Sequence, residues 1–141
     1  MRELEICQDQ IKYYVDDHGS LNYDKSWILD LNSIKAIGIV NRMRGDDDSY
    51  FLIFVDKSNQ KYYINLNIKF GGYTELIDWL RFSFSIEEKD LIVPDEMNDN
   101  LILFPIALKG KAIYKKKNFL TKIKLLLGLK HVAFGELSEI I

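Results

Sequence analysis

The sequence predicts a single α+β domain, an antiparallel and strongly bent sheet accompanied by two helices, and three observations lead there. Short segments with a period of two fill the first half of the chain. After Gly71-Gly72 the period changes to nearly four, and helical spacing returns near the C-terminus. The composition, 48% hydrophobic and 28% charged over 141 residues, is that of a globular chain long enough to bury a core without cross-links.

The strands come first. Ile11-Lys12-Tyr13-Tyr14-Val15 alternates, and Asp16-Asp17-His18-Gly19-Ser20 has the composition of a turn. Ser26-Trp27-Ile28-Leu29-Asp30-Leu31 alternates again and puts Trp27, Leu29 and Leu31 on one face. Within Lys35-Ala36-Ile37-Gly38-Ile39-Val40, the glycine marks a bulge or a close backbone approach. Residues 44–49 are expected to be an exposed loop. Tyr50-Phe51-Leu52-Ile53-Phe54-Val55 is the most apolar segment, expected at the centre of the sheet, and 56–60 turn it into a hairpin with Lys61-Tyr62-Tyr63-Ile64-Asn65-Leu66.

A helix is expected over 73–84. Tyr73, Leu76, Ile77, Leu80 and Phe84 share one face, and Thr74 or the preceding glycines begin it. Trp79 and Phe82 lie off that stripe, either widening the buried face or facing a partner. Residues 87–100 are polar and expected to be a loop. Leu101–Phe104 is a strand ending at Pro105, with a bend and further strand over 107–114. Asn118 is placed to cap a second helix over 119–130, and 137–141 form a short tail. The division is thus a strand-rich body, 1–100, and a basic strand–helix section, 101–141.

The net charge of −2 hides an uneven distribution. Residues 1–99 hold 11 Lys and Arg against 19 Asp and Glu, whereas residues 100–135 hold eight Lys and no acid. Cys7 is the single cysteine, which excludes an internal disulfide and suits a reducing compartment. The opening Met1-Arg2-Glu3-Leu4-Glu5-Ile6-Cys7-Gln8 has no long apolar run, and no stretch approaches the roughly 18 apolar residues of a membrane span. A cytoplasmic location is expected.

Catalysis needs groups that converge, and the residues offer none at recognisable spacing. His18 and His131 are the only histidines and share no motif; Cys7 has no basic neighbour but Arg2 and is expected to be a small core residue. No phosphate loop, dinucleotide fingerprint or zinc spacing occurs. Asp46-Asp47-Asp48 points three carboxylates in different directions without the spaced ligands of a calcium loop, so a solvated loop is the plainer reading. No catalytic residue, metal ligand or cofactor is therefore assigned.

The order of short strands followed by a helix resembles the pleckstrin-homology-like architecture. The runs Trp27–Gly38, Asp47–Val55 and Phe104–Lys111 resemble segments of small bacterial proteins of unassigned function, and together make up about a fifth of the chain. The chain departs from their pattern at Val40-Asn41-Arg42, where an acidic-aromatic pair is more usual. The resemblance implies a bent sheet closed by a helix and brings no catalytic residues with it.

These observations suit a protein-binding module without chemistry, in its most specific form an immunity protein that covers the active site of a cognate toxin. The partner is then a protein, a basic toxin domain, met by an acidic face interleaved with tyrosines. Asp16, Asp17, Tyr23, Asp46, Asp47, Asp48 and Tyr62 are the candidate contacts. The alternative is the Lys109–Lys130 section, with Lys115, Lys116, Lys117 and Lys122, acting on a membrane surface or a nucleic acid. That section holds no arginine, the residue best suited to paired phosphate and base contacts, which weighs against nucleic acid.

Overall fold

The computed structural model describes residues 2–16, 25–44, 47–91, 100–114 and 137–141, with the side chains of all but 41–44 and 47–49. Strands β1 (Arg2–Ile6), β2 (Gln10–Val15) and β3 (Trp27–Asp30) form an antiparallel sheet in the order β1-β2-β3. Strands β4 (Ile34–Arg44), β5 (Asp47–Asp56), β6 (Lys61–Asn65) and β7 (Asn100–Phe104) form a second, antiparallel sheet in the order β6-β5-β4-β7. Helix α1 (Tyr73–Phe84) lies between β6 and β7 in the chain. The molecule is a small single α+β domain.

The one bent sheet expected from the sequence is thus two sheets, and the division falls at Asp30. Its Oδ1 accepts a hydrogen bond from the Asn32 N–H at 2.8 Å, and Ser33 Oγ donates to its carbonyl at 2.7 Å. Such local side-chain bonds compete with a ladder and favour a turn. Leu31–Ser33 accordingly form a 3-10 turn, after which the chain enters the other sheet.

Strand β5 explains the second sheet. Phe51, Leu52, Ile53, Phe54 and Val55 all have 0% exposure, so both faces of the strand are covered. Leu52 and Phe54 join Leu4, Ile11 and Tyr13 of the first sheet and Leu76 and Leu80 of α1 in one core. Phe51, Ile53 and Val55 point the other way, into a second core closed by Ile113 and Tyr114. An unbroken apolar run is what a strand needs when neither face meets water. The expected central position of this segment holds.

Glycines fix how the layers meet. At Gly38 the β4–β7 register shifts, and an added Cβ would lie 2.7 Å from Ile113 Cδ1 and 2.8 Å from the Leu101 carbonyl oxygen. Both a bulge and a close approach are therefore present. At Gly72, φ is +91° and a Cβ would lie 2.2 Å from the Leu4 carbonyl oxygen. This glycine starts α1 against the edge of β1, where Leu4 N–H donates to Gly71 O at 2.7 Å and Gly71 N–H to Arg2 O at 2.9 Å. The helix then buries Leu76, Ile77 and Leu80. It closes with Ser85 left-handed, its N–H bonded to Arg81 O at 3.2 Å and the Ile86 N–H to Leu80 O at 3.1 Å.

Three further expectations need correction. The loop expected at 44–49 is mostly ladder, because β4 and β5 remain paired to Arg44↔Asp47; residues 45 and 46 lie outside the described residues. The strand expected within 107–114 is a 3-10 turn at Ile106–Leu108 followed by a turn through Gly110 at φ +88°. The Gly110 and Ile102 amides close this turn on the outer edge of β7, bonding Ile102 O and Lys111 O, so the chain caps the sheet instead of adding to it. The polar loop expected from residue 87 contains a 3-10 turn at Glu88–Leu91, and 92–99 lie outside the described residues. The helix expected over 119–130 also lies outside them. Among the described residues no helix is long and apolar enough to cross a membrane.

Candidate functional site

The two sheets differ in what their outer faces carry. On the first sheet, β1 and β2 pair Glu3 with Tyr14 and Glu5 with Lys12, and β2 and β3 pair Lys12 with Ile28. Alternation turns the odd residues of β2 and β3, Ile11, Tyr13 and Leu29, into the core. The same alternation presents Tyr14 and Ile28 outwards, at 53% and 60% exposure. The backbone and side chains of Glu3, Glu5, Lys12, Tyr14, Ser26 and Ile28 line an open groove of about 800 Å³. Its exposed apolar side chains are Tyr14 and Ile28, beside the carboxylates of Glu3 and Glu5 and the ammonium of Lys12.

A second cleft, about 340 Å³, lies where the start of β5 meets α1, between Tyr50, Leu66, Asn67, Tyr73, Glu88 and Leu91. Its polar groups are engaged with one another. Tyr73 donates to Glu88 Oε1 at 3.0 Å, and Asn67 Oδ1 accepts from the Tyr50 N–H at 2.6 Å. Burial, then the bond to Glu88, raises the Tyr73 pKa above the usual tyrosine value. A tyrosine held protonated beside one carboxylate provides no acid–base pair near neutral pH.

Of the residues singled out from the sequence, the structure describes Asp16, Tyr62 and the backbone of Asp47 and Asp48. Asp16 follows β2. Tyr62 is half-buried. Its hydroxyl donates to Asp56 Oδ2 at 2.9 Å and its ring stacks edge-on against Trp27 at 5.5 Å. Asp56 also accepts from the Ser58 and Gln60 amides, so this group shapes the β5–β6 turn. Asp47 and Asp48 are strand residues opposite Arg44 and Met43. Asp17, Tyr23, Asp46, Lys115, Lys116, Lys117, Lys122 and both histidines lie outside the described residues.

Cys7 also needs correction. It is half-exposed beside the β1–β2 turn, not in the core, and its Sγ lies 3.4 Å from Glu5 Oε1. That hydrogen bond is the first cause raising the thiol pKa, followed by desolvation and the Glu5 charge. A raised pKa leaves less thiolate and a poorer nucleophile. Among the described residues no group of three or more His, Cys, Asp or Glu could hold a metal ion.

The off-stripe aromatics of α1 divide. Trp79 packs on Phe84 at 5.0 Å and Phe54 at 6.0 Å, widening the buried face, whereas Phe82 stands 83% exposed. Ile28 is the residue that sequence reasoning missed. The signal was present: placing Trp27 and Leu29 inwards places the isoleucine between them outwards.

Comparison of the chain with protein-family models, with curated proteins and with solved structures finds no match. The reading of function therefore stands on the surface itself.

Proposed function

We propose that the protein is a non-catalytic protein-binding module and that the outer face of its first sheet is the binding surface. The observation that carries this is the pair Tyr14 and Ile28, exposed together over the groove of about 800 Å³. A tyrosine and an aliphatic side chain with a rim of opposite charges match the anatomy of a contact surface: an apolar centre with polar groups around it. The most specific form of the proposal is an immunity protein that covers a basic toxin. The excess of 19 acids over 11 bases in residues 1–99 supports it by favouring the approach of a cationic partner. A pleckstrin-homology-like architecture belongs to the same proposal, supported by two antiparallel sheets of three and four strands.

Co-expression with a toxin encoded beside the gene tests this reading. The expected result is a complex that survives purification, restores growth, and is lost in the Tyr14→Ser/Ile28→Ser double variant. Phe82→Ser, which changes an exposed aromatic elsewhere, should leave it intact. A complex indifferent to the double variant would remove the first sheet as the binding surface.

A further inference from the structure

The ladder of the first sheet determines which backbone groups face outwards at its margins. Leu31 N–H donates to Asp9 O at 3.0 Å, which makes that opposed pair a hydrogen-bonded one. Bonded pairs alternate in an antiparallel ladder, so Ile11↔Leu29 and Tyr13↔Trp27 are bonded in turn. The Ile28 N–H and C=O and the Asp30 N–H then point away from β2, along a margin of β3 that no hydrogen bond from the described residues occupies at these groups. The opposite margin gives the same phase independently: Cys7 N–H donates to Gln10 O at 2.8 Å, which sends Arg2 and Leu4 outwards, and both bond Gly71.

The other three strand margins carry partners. Beside β1 stands Gly71; beside β7, Ile102 bonds both Gly110 and Lys111; beside β6, Tyr63 O accepts from the Trp27 indole N–H at 2.9 Å. Among the described residues, the margin of β3 instead offers outward Ile28 backbone groups next to a 60% exposed Ile28 side chain at the rim of the groove. Asp30 O is taken by Ser33 Oγ, which limits the open register to Ile28 and the Asp30 amide.

The geometry points to recognition by strand addition: an extended segment of a partner protein becomes a fourth strand of the first sheet beside β3. This rests on the protein-binding reading and says how the partner is held. The added residue that exchanges two backbone bonds with Ile28 lies opposite its side chain on the outer face and is apolar. The residue two positions along lies opposite Asp30 and is basic, since cross-strand neighbours favour apolar and opposite-charge pairs. Main-chain bonds hold the segment, and this apolar-x-basic pattern selects it.

A random peptide library displayed on phage and panned against the immobilised full chain tests the inference. Enriched peptides should carry an apolar and a basic residue two apart, and should bind Ile28→Pro about tenfold or more weakly, as the loss of one backbone bond and its neighbour predicts. Proline is tolerated there because the Ile28 N–H takes no part in the β2–β3 ladder, so the melting temperature should stay close to that of the parent. Peptides bound equally by Ile28→Pro and the parent, or no enrichment, would overturn strand addition. Loss of binding in Tyr14→Ser with none in Ile28→Pro would keep the face and remove the strand, and indifference to both would remove both. Should Ile28→Pro fail to fold, Asp30→Asn, which keeps the bond to Asn32, decides: a lost basic preference supports the proposal and an unchanged one ends it. A dimer in sedimentation that Ile28→Pro dissociates would assign the margin to a second copy of the chain and overturn the partner version.

Discussion

Strands β2 and β5 have the same two-residue alternation, yet β5 shows no exposed side chain from Phe51 to Val55 while β2 turns Tyr14 outwards at 53% exposure. The difference lies in what covers each sheet. The second sheet has the first sheet and α1 on one side and Ile113, Tyr114, Leu137 and Ile141 on the other. The first sheet has its inner face on the core and its outer face in the groove. A strand buried twice is committed to stability, because any change leaves a cavity or an unpaired group. A strand buried once has alternate positions available for contact with something else. The comparison therefore assigns holding the fold to one region and meeting a partner to the other.

The largest test of that division is Phe54→Ala. Phe54 is fully buried between Trp27 and Trp79, with ring centroids at 5.9 and 6.0 Å. Its truncation should cost about 3–5 kcal/mol, read as a lower urea midpoint with an unchanged slope. Gly72→Ala comes next. A side chain there meets both the left-handed backbone and the Leu4 carbonyl oxygen, 2.2 Å from the new Cβ, and should cost about 2–3 kcal/mol by the same measurement. A loss below that of a surface alanine would mean that the join between α1 and β1 is looser than the structure has it.

A third test uses pH. Burial, then the neighbouring Tyr63 hydroxyl at 2.9 Å, raises the pKa of Tyr114 well above the ordinary tyrosine value. The folded protein therefore keeps a proton that the unfolded chain releases. Stability from this group is full below about pH 10 and falls as the pH rises beyond it. Tyr114→Phe should flatten that alkaline loss in thermal melts while costing about 1 kcal/mol at neutral pH through the lost hydroxyl pair. An identical alkaline slope in the variant would place the sensitivity elsewhere, with Tyr62 next, whose pKa is raised by burial and by Asp56.

The smallest effect on stability is expected at the groove. Tyr14→Ser and Ile28→Ser should each shift it by no more than about 0.5 kcal/mol, since the side chains are exposed. Their effect belongs to binding. A loss comparable to that of Phe54→Ala would show that the outer face is part of the core, and the comparison would collapse.

Much of the fold was legible in the residues. The helix over 73–84 follows from the alternating three- and four-residue spacing of Tyr73, Leu76, Ile77, Leu80 and Phe84, and it occupies Tyr73–Phe84. The hairpin between β5 and β6 follows from polar 56–60 between two apolar runs. Strand β1 went unread, although Leu4 and Ile6 alternate with Glu3 and Glu5, because a short segment with two acids has weak strand preference and gains its place from pairing with β2 and Gly71. The acidic candidates were legible only as composition. Charge in a sequence carries no direction, and of the described candidates Asp47 and Asp48 are ladder residues while Tyr62 is bonded to Asp56 beside a turn.

By itself the sequence determined the periods of β2, β3, β6 and α1 and the central place of the unbroken run Phe51–Val55. These are local matters of side-chain spacing. Only the tertiary structure decided that the strands part into two sheets at Asp30, that one sheet is covered twice and the other once, and that Ile28 and Tyr14 share an open face. Those outcomes depend on which distant segments pack together, and burial is a property of the assembled layers, not of any single strand.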